Sequence, residues 1–148
     1  MIDFPKTETE EKVIKRIISE GYPKERLPLA LNLLYKSRNR NNSEALYLLA
    51  FNNLGVLSQI LKIKEQIGTA IDFSKSDFLE FSSKLRMNSL RNFALTHNHP
   101  NQKAEPSIDD LFFTEHVKSI AKDMNKKILD HLIWTKKEIY SYELNKTL

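Results

Sequence analysis

The chain predicts an α/β fold in the order α-α-β-β-α-β-α-β-β, and three observations carry that reading. Apolar residues recur with helical spacing in some segments and with strand-like alternation or continuous runs in others. After residue 43 the two kinds of segment interleave instead of standing in separate blocks. Polar or Gly/Pro-containing stretches punctuate the junctions.

The elements follow in order. Glu10 to Glu20 places Val13, Ile14, Ile17 and Ile18 on one helical face, with Thr7 or Thr9 as cap and Gly21 as terminator. Pro28 sits near the start of a second helix through Leu29, Leu31, Leu33 and Leu34 to about Ser37. Arg38 to Ser43 is polar and reads as a linker. Ala45 to Phe51 is a continuous apolar run, hence a buried strand, and Asn52-Asn53-Leu54-Gly55 turns it into a returning strand from Val56 to Glu65. By alternation Leu57, Gln59, Leu61, Ile63 and Glu65 share one face of that strand.

Gly68-Thr69 breaks the strand, and Ser74 or Ser76 begins a helix carrying Phe78, Leu79, Phe81, Leu85 and Leu90. Asn92 to His99 is the next strand, with Phe93, Leu95, His97 and His99 on one face. Pro100 to Pro106 is a loop. Ser107 is a candidate N-cap for a helix bearing Leu111, Phe113, Val117, Ile120, Ala121 and Met124. Lys127 to Thr135 and Glu138 to Leu144 close the fold as two strands.

Composition narrows the function classes. Apolar residues make up 41% and charged residues 28%, enough to build a core and too apolar for a disordered chain. No apolar run approaches the ~20 residues of a membrane-spanning helix, and Met1 to Lys6 lacks a secretory signal pattern. There is no cysteine, so disulfides and thiolate metal ligands are excluded, and a cytoplasmic setting is the expectation. The net charge is +4. Residues 1–42 hold nine Lys/Arg against six Asp/Glu, and the rest hold fourteen against thirteen. The excess centres on Lys36, Arg38 and Arg40, where Arg38 and Arg40 could make weak phosphate contacts with nucleic acid; a solvated helix end is the plainer alternative.

The chemistry concentrates between His97 and Asp110. Two of the chain's four histidines stand at i and i+2 in His97-Asn98-His99-Pro100, and Asp110 follows eleven residues after His99. A strand end and the next helix start bring the three donors together across one loop. Two imidazoles and a carboxylate suit a catalytic zinc, leaving one position of a tetrahedron open for water. Zinc lowers that water's pKa to about 7. A hydrolase also needs a carboxylate near the metal that is not a ligand. Glu65, on the apolar side of its strand by alternation, is the candidate; a Glu reaching solvent or a lysine at a strand end is the alternative. Ser107-x-x-Asp110 also has the form of a helix capping box, and His-Asn-His-Pro the form of a plain turn. His131 alternates with Leu129 and Ile133 and reads as a satisfied core histidine ahead of a partner to the metal ligands. His116 reads as exposed.

Glu, His-x-His, the seven residues from Pro100 to Pro106, Ser, two residues and Asp together resemble the signature of the JAMM (MPN+/JAB) metalloproteases. His97-Asn98-His99-Pro100, Glu105-Pro106-Ser107, Asp130-His131-Leu132-Ile133 and Tyr140-Ser141-Tyr142 resemble the bacterial RadC branch, over Ser43 to Glu143. The resemblance implies an MPN (JAB1) fold, a mixed β-sheet flanked by helices and similar to cytidine deaminases. It implies two regions: a helical N-terminal arm over 1–42 and a RadC-like JAB/MPN domain over 43–148. It further implies Zn2+ on His97, His99 and Asp110, Glu65 as general acid/base, and Ser107 stabilising the tetrahedral intermediate. The expected activity is zinc-dependent hydrolysis of a peptide or isopeptide bond in a peptide or protein substrate. The alternative is a non-catalytic adaptor in DNA repair or replication, the role the RadC name traditionally carries, docking nucleic acid or a protein.

Overall fold

The structure is a computed structural model that describes residues 9–37, 43–67, 75–99, 103–135 and 137–148. Helix α1 (Glu10–Glu20) is capped by the Thr9 hydroxyl, which accepts from Lys12 N–H, and stops at Gly21, whose φ of 71° is the left-handed conformation glycine tolerates best. A 3-10 turn (Lys24–Arg26) leads into α2 (Leu27–Ser37). Strands β1 (Ser43–Phe51) and β2 (Leu57–Ile67) form a hairpin whose turn is held by the Asn52 side chain, which accepts from the Leu54 and Val56 N–H groups. Helix α3 (Lys75–Met87) and strand β3 (Asn92–Asn98) come next. Helix α4 (Ile108–Asp123) crosses over to β4 (Lys127–Trp134), followed by β5 (Ile139–Ser141) and β6 (Lys146–Thr147).

Among the described residues the strands form one mixed sheet in the order β2-β1-β3-β4-β5-β6. Among paired strands only β3 and β4 run parallel, joined by the crossover through α4; the other neighbours are antiparallel. Every residue of β1 is buried, as its continuous apolar run requires for a central strand covered on both faces. Ala45, Tyr47 and Leu49 point into a core built with Val13, Ile17, Leu31 and Leu34 of α1 and α2. Leu46, Leu48 and Ala50 point the other way, into a core with Phe81 and Leu85 of α3 and Phe113 and Val117 of α4. The N-terminal helices thus form one of the domain's two helical layers, closed by Tyr47 Oη donating to Glu10 on α1.

Two local expectations change. The final strand is not continuous from Glu138 to Leu144: β5 ends at Ser141, the chain turns, and β6 returns. The turn uses Asn145 at φ 53°, a conformation Asn accepts more readily than most residues. The period-2 reading of the second strand also fails, because β2 shifts register against β1 twice, between Ala50/Phe51 and between Leu46/Tyr47. Each bulge inserts a residue and moves the later part of the strand to the other face. Of the expected linker from Arg38 to Ser43, Ser43 already belongs to β1; of the two candidate caps, Ser76 lies inside α3; residues 38–42, the Gly68-Thr69 break, Ser74 and residues 100–102 of the expected Pro100 to Pro106 loop lie outside the described residues. No helix among the described residues is long and apolar enough to cross a membrane.

Candidate metal centre

β3 ends where α4 begins to pack, and its last residues meet the first turn of that helix. In the antiparallel register His97 lies opposite Leu46, on the sheet face that packs against α3 and α4. Asp110 lies in the first turn of α4, which also buries Phe113 and Thr114. His97, His99 and Asp110 are all buried and form a group arranged to hold a metal ion. His97 Nε2 is 3.3 Å from Asp110 Oδ1, His99 Nε2 is 3.3 Å from Asp110 Oδ2, and the two Nε2 atoms are 2.9 Å apart. Four ligands at about 2.0–2.1 Å in a tetrahedron place donor atoms roughly 3.3 Å apart, so the spacing suits a small tetrahedral cation.

The other ring nitrogens explain why both Nε2 atoms converge. His99 Nδ1 lies 3.1 Å from the Lys103 carbonyl oxygen, which can only accept, so the proton sits on Nδ1 and Nε2 turns inward. His97 Nδ1 lies 2.7 Å from His131 Nε2. His99 is further fixed by its N–H, which donates to Trp134 O on β4. Burial pushes Asp110 up, but side-chain contacts with His97 and His99, the charge of His97 and the Ser107 N–H outweigh it, holding the carboxyl far below the ordinary range. Burial pushes His99 down, yet the Asp110 hydrogen bond, the Lys103 carbonyl and the charges of Asp110 and Glu44 raise it on balance.

Ser107 caps α4. Its hydroxyl oxygen accepts from Asp110 N–H at 3.1 Å, and its own N–H donates to Asp110 Oδ2 at 2.9 Å. The capping box read from the sequence is therefore present, and it also orients the carboxylate that belongs to the candidate metal group.

Glu65 is not at this site. It pairs with Ala45 in the register and so points to the α1/α2 side of the sheet, away from His97. There it is exposed, accepting from Lys62 Nζ at 2.8 Å and from Ser43 Oγ at 3.2 Å, with Lys62 also bridging to Glu10. The physical reason is the bulge between the Leu46 and Tyr47 pairs, which flips everything after Ile63. A buried carboxylate on the sheet face shared with His97 is Glu44. It precedes Leu46 by two residues, is 2% exposed, and its charge acts on His99.

Asn98, between the two histidines, holds Glu44 in place. Its side-chain oxygen accepts from Ala45 N–H at 2.8 Å and its NH2 donates to Ser43 O at 2.9 Å. Those are the two peptide groups flanking Glu44. The sequence signals were available: Glu44 is the one charged residue next to a continuous apolar run, and an Asn at a strand end readily bonds backbone. His131 is the satisfied core histidine expected, and it is at the same time a partner of His97. Its satisfaction comes from His97 and from Thr114 Oγ1 at 2.6 Å. His116 is exposed and stacks on Phe78 with centroids 4.2 Å apart. Arg38 and Arg40 lie outside the described residues.

Comparison with known proteins agrees with this geometry. The chain is 38% identical over 61 residues to UPF0758 proteins of Streptococcus pyogenes serotype M49 (strain NZ131), serotype M3 (strain SSI-1) and serotype M18 (strain MGAS8232). Each match covers 41% of this chain and 27% of the relative, so only about a quarter of those proteins' length is matched. The profile of the RadC-like JAB domain matches residues 29–147, from α2 to the last strand. With its mixed sheet between two helical layers and its His-His-Asp cluster at the end of β3, the chain belongs to the RadC-like JAB domain family.

Proposed function

We propose that this chain is a zinc-dependent metallohydrolase acting on a peptide or isopeptide bond. The observation that carries the reading is the buried His97–His99–Asp110 cluster with a second buried carboxylate, Glu44, on the same face of the sheet. Two imidazole nitrogens and one carboxylate are the donor set of a catalytic zinc site, which keeps a position open for water or substrate. Zinc held there supplies a Lewis acid and a water whose pKa falls to about 7.

The chain's own residues supply the rest. Glu44 is the proton carrier, taking a proton from the attacking water and returning it to the leaving amine. Asn98 keeps that carboxylate at the cluster by clamping the peptide groups on either side of it. Ser107 stands at the N-terminus of α4; the bond to Asp110 N–H uses its oxygen, so its hydroxyl proton suits an oxyanion. Nucleic-acid contact through Arg38 and Arg40 belongs to the same proposal only as a weak interaction that falls steeply with salt.

The test is cleavage of a panel of unfolded proteins and of lysine-linked isopeptides by zinc-loaded protein, read by mass spectrometry. Wild type is expected to cut at least one class, and Glu44→Gln to retain zinc while losing rate by a factor of ~10²–10⁴. Zinc-loaded wild type that cuts nothing in either class would turn the reading toward a binding protein.

A further inference from the structure

Behind the metal-facing atoms, three hydrogen bonds join into one chain. His97 Nδ1 lies 2.7 Å from His131 Nε2, His131 Nδ1 lies 2.6 Å from Thr114 Oγ1, and Thr114 Oγ1 lies 2.7 Å from the Asp110 carbonyl oxygen. The chain starts on β3, crosses β4 and ends on α4, in the helical turn that also carries the Asp110 carboxylate. His131 and Thr114 are each 1% exposed, so water does not compete for these bonds.

The direction of every proton follows from the far end. A carbonyl oxygen can only accept, so Thr114 donates its single hydroxyl proton to Asp110 O. That hydroxyl can then only accept from His131, which places a proton on His131 Nδ1. A fully buried imidazole with no carboxylate among its hydrogen-bond partners is neutral and carries one proton. His131 Nε2 is therefore bare and accepts, and His97 Nδ1 must donate. What remains on His97 is an Nε2 facing the cluster.

The alternative tautomer is a real competitor. With its proton on Nε2, His97 would point it at Asp110 Oδ1, 3.3 Å away, and the site would be satisfied without a cation. We propose that Thr114 and His131 are positioning residues that hold His97 in the tautomer whose Nε2 can ligate a metal, and that they tie this setting to the helical turn presenting Asp110. The proposal rests on reading His97, His99 and Asp110 as a metal site. It assigns a role to a histidine and a threonine that touch neither metal nor substrate.

The test uses the full chain with zinc alone as probe. Long-range 1H–15N spectra of the imidazoles, in metal-free and zinc-loaded protein, should show His131 protonated on Nδ1 and bare on Nε2, and His97 protonated on Nδ1. Thr114→Val keeps the shape and removes the proton donor. Competition against a chromophoric chelator should show its zinc affinity reduced by roughly 10–100-fold, as for other groups that orient metal-bound histidines. Thr114→Ser restores the hydroxyl and should recover most of that loss, which a packing role of the threonine methyl would not predict. A His131 proton on Nε2 overturns the proposal, as does wild-type zinc affinity in Thr114→Val. Should Thr114→Val fail to fold, the imidazole spectrum of wild type decides. Wild type that takes up no zinc would overturn the metal reading itself; wild type that takes up zinc beside a Thr114→Val of equal affinity would overturn this proposal alone.

Discussion

Replacing Asp110 by Asn removes one of the three proposed metal ligands while sparing the fold. The carboxamide oxygen can still accept from Ser107 N–H, and the Asp110 backbone N–H still donates to Ser107 Oγ, so the α4 cap survives. What goes is the negative charge between the two imidazoles, each 3.3 Å from it. A ligand that binds only the native state stabilises it by RT ln(1 + [L]/Kd), about 2.7 kcal/mol at one hundred times Kd. The unfolded chain is a poor competitor because it has no cysteine and only four histidines. Unfolding entropy near 2.1 cal/mol/K per residue gives roughly 0.3 kcal/mol/K for 148 residues. Free zinc at that excess should therefore raise the wild-type Tm by about 9 °C. If Asp110→Asn weakens zinc a hundredfold, the same zinc concentration contributes about 0.4 kcal/mol, a shift of only ~1 °C. Differential scanning calorimetry in chelator and in buffered zinc measures both. Equal zinc-induced shifts in wild type and Asp110→Asn would refute the assignment of Asp110 as a ligand.

The same geometry sets other outcomes. Glu65→Gln should leave zinc uptake and any hydrolysis unchanged and alter stability by less than about 1 kcal/mol, because its bond to Lys62 is solvent-exposed; loss of activity in Glu65→Gln but not in Glu44→Gln, read in the cleavage assay, would reverse the exchange of roles. Asn98→Ala strands two buried backbone groups, Ser43 O and Ala45 N–H, and should cost about 2–3 kcal/mol in urea denaturation; a cost under about 0.5 kcal/mol would show that the clamp is dispensable. In metal-free protein, Asp110, held low, contributes stability above about pH 3.8 that is lost in acid, and His99, held high, contributes stability below about pH 6.5 that is lost as pH rises through its folded value. Zinc must displace the proton on His99, so the gap in Tm between zinc-loaded and metal-free protein should widen from about pH 5 to about pH 8; a gap that narrows with rising pH would contradict proton competition at this site.

Local sequence determined a great deal of this protein. The helical spacing of Val13, Ile14, Ile17 and Ile18, the unbroken run from Ala45 to Phe51, and the caps at Gly21 and Ser107 are interactions among near neighbours, and each element stands where those neighbours place it. The metal-binding group was legible for the same reason: His97, His99 and Asp110 are joined by one strand end, one loop and one helical turn. Tertiary structure alone decided the rest. Alternation cannot count a bulge, since a bulge exists only against a partner strand; the shift of β2 past β1 turned Glu65 to the opposite face from His97, while Glu44 is buried on the face that His97 shares. His131 stands 34 residues from His97 and 17 from Thr114, and it joins them only because β4 lies parallel beside β3 with α4 packed across the pair. Asn98 reaches across 55 residues to Ser43 O. Spacing in the chain reports which side chains share a local face, whereas the partners of a buried polar atom are set by which strands pair and in what register. That register is fixed by burial of the whole sheet, a property no single segment carries.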